Sequence, residues 1–391
     1  MEMVAVNKIR FSKRVTQFIF IPMKIKALYI FLFVLLFSCK PDDTIIEENR
    51  KFYMGVTPWP ANFTSQDLEK AYDFINTKCD IVSHHFDEGI PYEEAYHNLE
   101  MPVALQQEIN SRLSKTNSNL KVLLSVAALN LTRKEKADYY RNSTVESSIK
   151  ASWNNKTFSN PEIITAYTNY LEYLINNFQP DYINFGVESN NPEFIATDFT
   201  EYKIFLAQVY QNLKSNHPNI PCFISYMVSE SNGGFVNATE LLPYTDIIGL
   251  SAYPYISISS SINGNTNPDL FPANYFEKYI FMANKPFCFA ETSYIAENLV
   301  ISSYNLNKQG TTIWQDNYLK TILNLSQNKN AVFLIWFCSK DYDDGNLFLQ
   351  QQGLYTDLFG LWQDTGLIDE NNNKRLSYYT WENWFKKEKT E

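Results

Sequence analysis

From residue 51 onward, short hydrophobic runs alternate with longer stretches in which apolar residues recur every three or four positions. The short runs have the length of β-strands. Several are apolar at every position, as in the strands of a parallel sheet that is covered on both faces. We predict eight strands: Phe52–Thr57, Asp80–His84, Lys121–Val126, Tyr182–Val187, Cys222–Tyr226, Asp246–Ala252, Pro286–Ala290 and Ala331–Phe337.

The stretches between these strands have the periodicity of amphipathic helices. The clearest is Pro161–Phe178, which has proline at a favourable first position and Ser159 as a possible cap. The other predicted helices are Asp67–Thr77, Val103–Leu113, Glu201–Lys214, Asn274–Met282, Trp314–Gln327 and Tyr378–Lys387, with only a turn or two near Thr239–Leu242.

Repeated strand–helix units over residues 51–391 predict an α/β fold, a single (β/α)₈ TIM barrel. A doubly wound open sheet is the alternative. That fold usually has a glycine-rich phosphate loop after an early strand, and the sequence, with 12 glycines, has no such loop.

Residues 1–39 predict an export signal. Lys24 and Lys26 precede the apolar run 27–37, which has the length of a signal-peptide core and is too short to span a bilayer. The run ends in Leu36-Phe37-Ser38-Cys39, which resembles the lipobox of bacterial lipoproteins. Cys39 would then be the lipidated first residue of the mature protein, anchored in the cell envelope at the outer membrane or cell surface. An ordinary membrane anchor is the alternative.

Met23 is a candidate initiator within this signal, and residues 40–50 are polar enough to form a flexible tether. The full chain has a net charge of −10 and no basic stripe, which excludes nucleic acid as a partner. Aromatic residues make up 16% of the chain, a content that suits either stacking on sugars or a tightly packed core.

Four further cysteines, Cys79, Cys222, Cys288 and Cys338, lack the spacing of a zinc site and are expected to be buried free thiols. On the seventh strand Phe287, Phe289 and Glu291 share one face by alternation, and Cys288 points the other way. On the eighth, Trp336 and Cys338 are expected to face inward. We therefore predict no disulfide between Cys288 and Cys338.

Two of the predicted strands end in a glutamate. The fourth continues into Glu188 and the seventh into Glu291, at the barrel edge where active sites lie. Such a pair can cleave a glycosidic bond with retention if the carboxyl groups lie roughly 5–6 Å apart, and burial with mutual repulsion would raise one pKa. The structural alternative is that each carboxylate caps a loop or pairs with a lysine.

These strand ends resemble glycoside hydrolase clan A, the retaining barrel enzymes with a glutamate after strands four and seven. The segment Asp246-Ile-Ile-Gly-Leu-Ser-Ala-Tyr-Pro-Tyr255 resembles the endo-β-1,4-galactanase-like branch most. The resemblance implies that Glu188 is the acid/base, Glu291 the nucleophile, Tyr253 a residue that orients the nucleophile, and Trp336 the floor on which a sugar stacks.

The chain departs from the clan pattern at two places. Val187 stands where clan members have asparagine before the strand-four glutamate, and the second strand ends in His84-His85-Phe86-Asp87 without the usual arginine. Asn190, His84 or His85 are candidates to replace these contacts, although either histidine could equally be structural. Tyr255 is a further candidate substrate contact.

The expected function is a monomeric, cofactor-independent retaining β-glycosidase of endo-glycanase type, acting on a β-linked polysaccharide or oligosaccharide. The alternative is a catalytically weak glycan-binding lipoprotein. The two departures favour this alternative, and the glutamate pair opposes it. A barrel esterase or deacetylase would need a serine elbow or a metal cluster, which the sequence lacks. Residues 341–345 could hold calcium but are more typical of a solvated loop.

Overall fold

The computed structural model describes residues 49–257 and 266–390. Eight parallel strands close into a barrel in which each strand pairs with the next along the chain and the last pairs with the first. The barrel strands are β1 Tyr53–Val56, β2 Ile81–Phe86, β3 Lys121–Val126, β4 Tyr182–Gly186, β5 Cys222–Met227, β6 Ile248–Ala252, β7 Phe287–Thr292 and β8 Phe333–Trp336. All eight predicted strands and the TIM-barrel fold are confirmed.

Helices cover the outside of the barrel. In the described part of the chain they are α1 Ser65–Lys78, α2 Tyr92–Tyr96, α3 Val103–Lys115, α4 Ser147–Asn154, α5 Pro161–Phe178, α6 Ala196–Asn216, α7 Asn232–Leu241, α8 Pro254–Ser257, α9 Glu277–Ile280, α10 Thr312–Lys329, α11 Asp343–Gln351 and α12 Leu376–Phe385. Short 3₁₀ turns lie at Leu242–Tyr244, Pro268–Leu270, Ser302–Tyr304 and Asp357–Trp362, and a small hairpin pairs Leu299–Ile301 with Leu306–Lys308.

The structure corrects the cap of one predicted helix and the start of another. Helix α5 is capped by Asn160, whose side chain accepts a hydrogen bond from the Glu162 amide, rather than by Ser159. Helix α7 begins well before the turn predicted at Thr239–Leu242, because Ser231 caps it by accepting a hydrogen bond from the Gly234 amide. The sequence pattern did not predict this start because positions 233 and 234 are glycines, which are unfavourable inside helices.

The interior of the barrel is a small apolar cluster separate from the larger core beneath the helices. It consists of Ile81, Leu123, Phe223, Ile247, Cys288, Ala290, Phe333 and Ile335. Phe287, Phe289 and Trp336 belong instead to the outer core. The predicted inward faces of the seventh and eighth strands are therefore wrong for these three residues.

Glu291 nevertheless faces the other catalytic candidates because the strand is irregular. The pairing of β6 with β7 shifts between Leu250↔Phe289 and Ser251↔Glu291, so one extra residue interrupts the alternation. Such irregularities re-aim a side chain next to an active site. The absence of a Cys288–Cys338 disulfide is confirmed, and Cys79, Cys222, Cys288 and Cys338 are all buried free thiols.

The predicted signal peptide, Met23, Cys39 and most of the tether lie outside the described residues. Arg50, the last residue of the predicted tether, belongs to the barrel: it is buried and its guanidinium pairs with Asp80 at 2.6 Å. Among residues 49–257 and 266–390, no helix combines the length and apolar character needed to cross a bilayer.

Candidate active site

Glu188 follows β4 through a second break in regular pairing. The β4–β5 register shifts between Asn184 and Gly186, and Glu188 itself adopts a left-handed backbone with φ of 52°. Its amide donates a hydrogen bond to the hydroxyl of Ser225 at 3.0 Å. A non-glycine residue in this conformation is uncommon and requires support from its surroundings. The sharp turn carries the Glu188 side chain to the mouth of the barrel.

A layer of short polar side chains supports this turn from inside the barrel. Asn184 donates from its amide to Ser125 at 3.0 Å and to Ser225 at 3.1 Å, and all three side chains are buried. These buried hydrogen bonds from the Asn184 amide nitrogen hold the two serines in one arrangement. The layer therefore fixes Ser225, which in turn fixes the Glu188 backbone.

Both carboxylate oxygens of Glu188 accept hydrogen bonds. The Ser251 hydroxyl on β6 donates to Oε1 at 2.6 Å, and the Arg133 guanidinium donates from Nε to Oε2 at 2.9 Å. A charge-assisted bond of the kind that Arg133 makes is shorter and stronger than a neutral one, so these two contacts hold the carboxylate in one orientation.

Glu291 occupies a different electrostatic setting. Its pKa is raised above the ordinary value, mainly by burial and further by the charge of Glu188. His85, the Tyr253 hydroxyl and Arg133 oppose this rise. Because each of these groups acts on the Glu291 carboxyl, the two glutamates share one site at the C-terminal ends of the strands.

His85 extends from β2 into this site and interacts with Asp87. Its Nε2 lies 3.5 Å from Asp87 Oδ2. Burial lowers the pKa of His85, but Asp87 and Glu291 more than offset that effect, so the net shift is upward. The pKa of Asp87 is held below its usual range, because His85 and Arg133 outweigh burial. His85 is thus a cationic candidate beside Glu291.

Sequence reasoning missed Arg133, which lies in the segment after β3. This segment folds back as a hairpin, with Ala137 bonded to Ala128 and Asn130 bonded to Glu135 through their backbones. Arg133 sits at its tip with a left-handed φ of 58° and is 9% exposed. The arginine at this site therefore comes from the loop after the third strand, whereas clan members have it on the second strand. No periodic pattern marks such a residue in a loop.

An aromatic wall lines the site beside β8 and consists of Trp59, Phe337, Tyr342 and Trp362. Ring centroids of Trp59 and Phe337 are 5.7 Å apart, and Trp362 lies 5.6 Å from Tyr253, next to Glu291. The indole N–H groups of Trp59 and Trp362 are buried without a hydrogen-bond partner among the described residues. Unpaired donors beside an apolar surface suit a ligand with hydroxyl groups.

Four predicted contact residues have structural positions instead. Trp336 ends β8, and its side chain is fully buried in the core between the strands and the helices. There it packs against Tyr318 and donates a hydrogen bond to the Thr365 carbonyl. Asn190 uses its side-chain amide to hold Met227 and Gly234. Tyr255 donates to the Leu361 carbonyl, and His84 is buried against Phe178. Alternation along β2 and β8, together with burial, turns these side chains away from the mouth. Of the residues proposed to replace the clan contacts, His85 alone faces the carboxylates.

Residues 341–345 do not form a solvated loop. Asp341 is buried and accepts a hydrogen bond from the Arg375 guanidinium at 2.8 Å, while Asp343 begins α11. Carboxylate oxygens of Asp341, Asp343 and Asp364 lie within 4.8 Å of one another, and burial raises the pKa of Asp364 to about 7. The Arg375 guanidinium supplies a positive charge beside these carboxylates, because it pairs with Asp341. The expected solvated loop is therefore wrong, and calcium stays the untested alternative at these residues.

No protein-family model matches the sequence, and no curated protein sequence matches it significantly. The fold is similar to that of solved glycoside hydrolases. An exo-β-1,4-mannosidase from Opitutaceae bacterium strain TAV5 matches with a TM-score of 0.57 and 12% identity over 85% of this chain, which spans 59% of the mannosidase.

Two other neighbours are matched over nearly their whole length. The GH53 catalytic domain of Ignisphaera aggregans has a TM-score of 0.53 and 16% identity, covering 87% of this chain and 97% of that domain. Xylanase 10B from Thermotoga maritima has a TM-score of 0.53 and 11% identity, covering 86% and 95%. At such low identity the similarity establishes the eight-stranded parallel barrel alone.

Proposed function

We propose that this protein is a retaining β-glycosidase of clan A type that acts on a β-linked polysaccharide or oligosaccharide. The observation that carries the proposal is the pair of glutamates, Glu188 after β4 and Glu291 in β7, in one site with unlike surroundings. Retaining glycoside cleavage needs two carboxyl groups, one that attacks the sugar and one that donates and later accepts a proton. The fold neighbours that are an exo-β-1,4-mannosidase and a xylanase support the same reaction class.

In the proposed mechanism Glu291 attacks the anomeric carbon and Glu188 protonates the leaving oxygen, then activates water. Attack requires ionised Glu291, which burial disfavours. His85, Arg133 and the Tyr253 hydroxyl favour the ionised form and would orient it. Positive charge that develops on the sugar ring in the transition state would be stabilised by the same carboxylate.

The aromatic wall is the proposed sugar-binding surface in place of Trp336. Trp59→Ala is expected to raise KM about tenfold with little change in kcat, since one aromatic contact is worth roughly 1.5 kcal/mol. Phe281→Ala is the matched control, because Phe281 is 61% exposed and lies before β7, at the opposite end of the barrel. Steady-state kinetics of both variants check this. Equal effects, or a loss confined to kcat, would contradict a binding role for Trp59.

The decisive test of the function is a screen of the purified protein against β-mannan, β-xylan and β-galactan that are labelled at the reducing end. Product anomers are followed by proton NMR in the first minutes, and retention requires the β anomer to appear first. Glu69→Gln, an exposed glutamate on α1, serves as the control variant. Initial release of the α anomer refutes retention. Measurable binding without hydrolysis would favour the glycan-binding alternative.

We propose that the protein is anchored through a lipid on Cys39. Cys39→Ser, produced in a Gram-negative bacterium, is expected to abolish membrane attachment or leave an uncleaved precursor, because the lipidated thiol is lost. Fractionation and immunoblotting measure this, with Cys79→Ser as a control for general loss of a thiol. Unchanged fractionation of the Cys39→Ser protein would rule out the lipobox.

A further inference from the structure

The aromatic wall continues outward from the glutamates, along the loop after β1 and onto helix α11. The ring centroids of Trp59 and Phe63 are 6.0 Å apart, and those of Phe63 and Phe348 are 6.1 Å apart. Phe63 lies in the loop after β1, and Phe348 lies in α11, which follows β8. These rings extend the contact between Trp59 and Phe337 into one series, the aromatic row, which consists of Phe337, Trp59, Phe63 and Phe348.

The side chains of the aromatic row become more exposed with distance from the barrel. Phe337 is 8% exposed, whereas Phe63 is 41% and Phe348 is 38% exposed. Leu347, the residue before Phe348, is also exposed. Single apolar side chains on a surface are common, but a contiguous apolar surface that continues into a cleft is typical of a binding site. The outer end of the row is therefore accessible to a ligand that already occupies the site.

Backbone contacts fix the two outer rings relative to each other. The Gly345 amide near the start of α11 donates a hydrogen bond to the Ala61 carbonyl at 3.0 Å, which joins the helix to the loop after β1. A side chain at position 345 would meet the same carbonyl at 3.2 Å and the Phe63 ring at 3.4 Å. Glycine therefore allows the helix that carries Phe348 to approach the loop that carries Phe63.

The order of strands around the barrel determines which part of a substrate meets the aromatic row. In the closed ring of eight strands β4 stands opposite β8, and β1 is the neighbour of β8. Glu188, the proposed acid after β4, protonates the leaving oxygen, so the leaving group lies on the β4 side of the mouth. The glycone, which is the part of the chain on the non-reducing side of the cleaved bond, then extends toward β8 and β1, where the row begins.

The leaving-group side of the mouth has a different surface. In the described loops directly after β3 and β4, the exposed large apolar side chains are aliphatic: Leu131 is 55% and Ile195 is 67% exposed. An ion pair between Lys134 and Glu193 joins the same two loops. Aliphatic and charged side chains lack the flat face that packs against the C–H groups of a sugar ring. The two sides of the mouth therefore differ in their capacity to bind sugars.

We propose that the aromatic row binds the glycone of a β-linked polysaccharide, so that several sugars on the non-reducing side of the cleaved bond are recognised. This inference rests on the proposed function and narrows its substrate class to extended chains that are cut in their interior. Phe63 and Phe348 have no hydrogen-bonding group, so they contribute affinity without distinguishing sugar hydroxyls. Selection among sugars then lies nearer the glutamates, where the Trp59 and Trp362 indole N–H groups are unpaired.

The first experiment varies the length of the glycone at a constant leaving group. The substrates are 4-nitrophenyl β-glycosides of manno-, xylo- and galacto-oligosaccharides with one to four sugars, and wild-type kcat/KM is expected to rise with length. Phe63→Ala and Phe348→Ala should each lower kcat/KM roughly fivefold to tenfold on the longest glycone and progressively less on shorter ones. The exposed Phe281→Ala is the matched control. A loss that is equal at every length, or no loss, overturns the proposal.

The second experiment tests the direction of binding. Hexasaccharides labelled at the reducing end are digested briefly, and the lengths of the labelled products are measured. A long bound glycone predicts short labelled products from the wild type, and Phe63→Ala combined with Phe348→Ala should shift cleavage toward the non-reducing end. Ile195→Ala should leave the product distribution unchanged. Product ratios within one digest do not depend on the amount of folded enzyme. Predominantly long labelled products from the wild type, or a shift caused by Ile195→Ala alone, would contradict the assigned direction.

These experiments distinguish failure of the inference from failure of the proposed function. Hydrolysis at a rate that does not depend on glycone length contradicts the inference alone. If the wild type hydrolyses nothing, the proposed function fails, and affinity electrophoresis in soluble β-mannan, β-xylan and β-galactan decides the role of the row. Equal retardation of the wild type and Phe63→Ala then overturns it. A wild-type dimer that Phe63→Ala converts to a monomer would assign the row to a second copy of the chain and also overturn it. Phe63→Leu replaces an alanine variant that does not fold.

Discussion

Glu291→Gln is expected to abolish glycoside hydrolysis while the protein still folds and binds sugar. The amide has nearly the shape of the carboxyl but cannot form the glycosyl–enzyme bond, so the covalent route is lost. A rate loss of at least about 10⁴-fold is expected, which corresponds to a barrier higher by roughly 5 kcal/mol or more. Single-turnover kinetics with an aryl glycoside measure the loss, and binding is followed by the quenching of tryptophan fluorescence.

Stability against pH provides the control for folding. Because burial in the folded protein raises the pKa of Glu291 above its ordinary value, the carboxyl stabilises the fold in its neutral form, and this contribution is lost as pH rises through the folded pKa. Glu291→Gln should therefore be at least as stable as the wild type at pH 8, and the difference should shrink toward pH 4. A variant that unfolds more easily at pH 8 would make a loss of activity uninformative and would contradict the direction of the pKa shift.

The positions of the two glutamates could be predicted because they follow from a feature that sequence displays directly. Apolar runs in a parallel barrel end at the edge where the active site lies, so a carboxylate directly after such a run is identifiable. Glu188 and Glu291 both satisfy this. Neither their side-chain separation nor their roles follows from the pattern, and these stay predictions.

The faces of the strands could not be predicted in the same way. Alternation assumes a period of two, and the pairing shifts in β4 and β7 break that period just before Glu188 and Glu291. Alternation extended through the shift places Glu291 on the face of Phe287, whereas Phe287 packs under the helices. An equivalent error placed Trp336 inside the barrel when Phe337, one residue later, belongs to the aromatic wall.

Arg133 illustrates a second limit. Its place at the site depends on the return of a hairpin between β3 and α4 and on a left-handed backbone at a residue that is not glycine. Neither local propensity nor hydrophobic periodicity encodes the contact with Glu188, 55 residues away. The absence of arginine from the second strand was visible in the sequence, but the presence of arginine from the third became visible only in three dimensions.

Glu188→Ala is expected to affect the two steps of the reaction differently. An aryl leaving group departs with little proton assistance, so formation of the glycosyl–enzyme should be largely retained, whereas attack by water should slow by about 10²–10⁴-fold without the general base. Azide needs no base, so it should restore turnover and yield the β-glycosyl azide, which NMR identifies. The alanine also leaves Arg133 unpaired at the mouth, where its charge would attract azide. Azide should restore nothing in Glu291→Gln, which forms no intermediate. Equal loss in both variants with no β-azide product would refute the assignment of roles and leave Glu188 as a structural partner of Arg133.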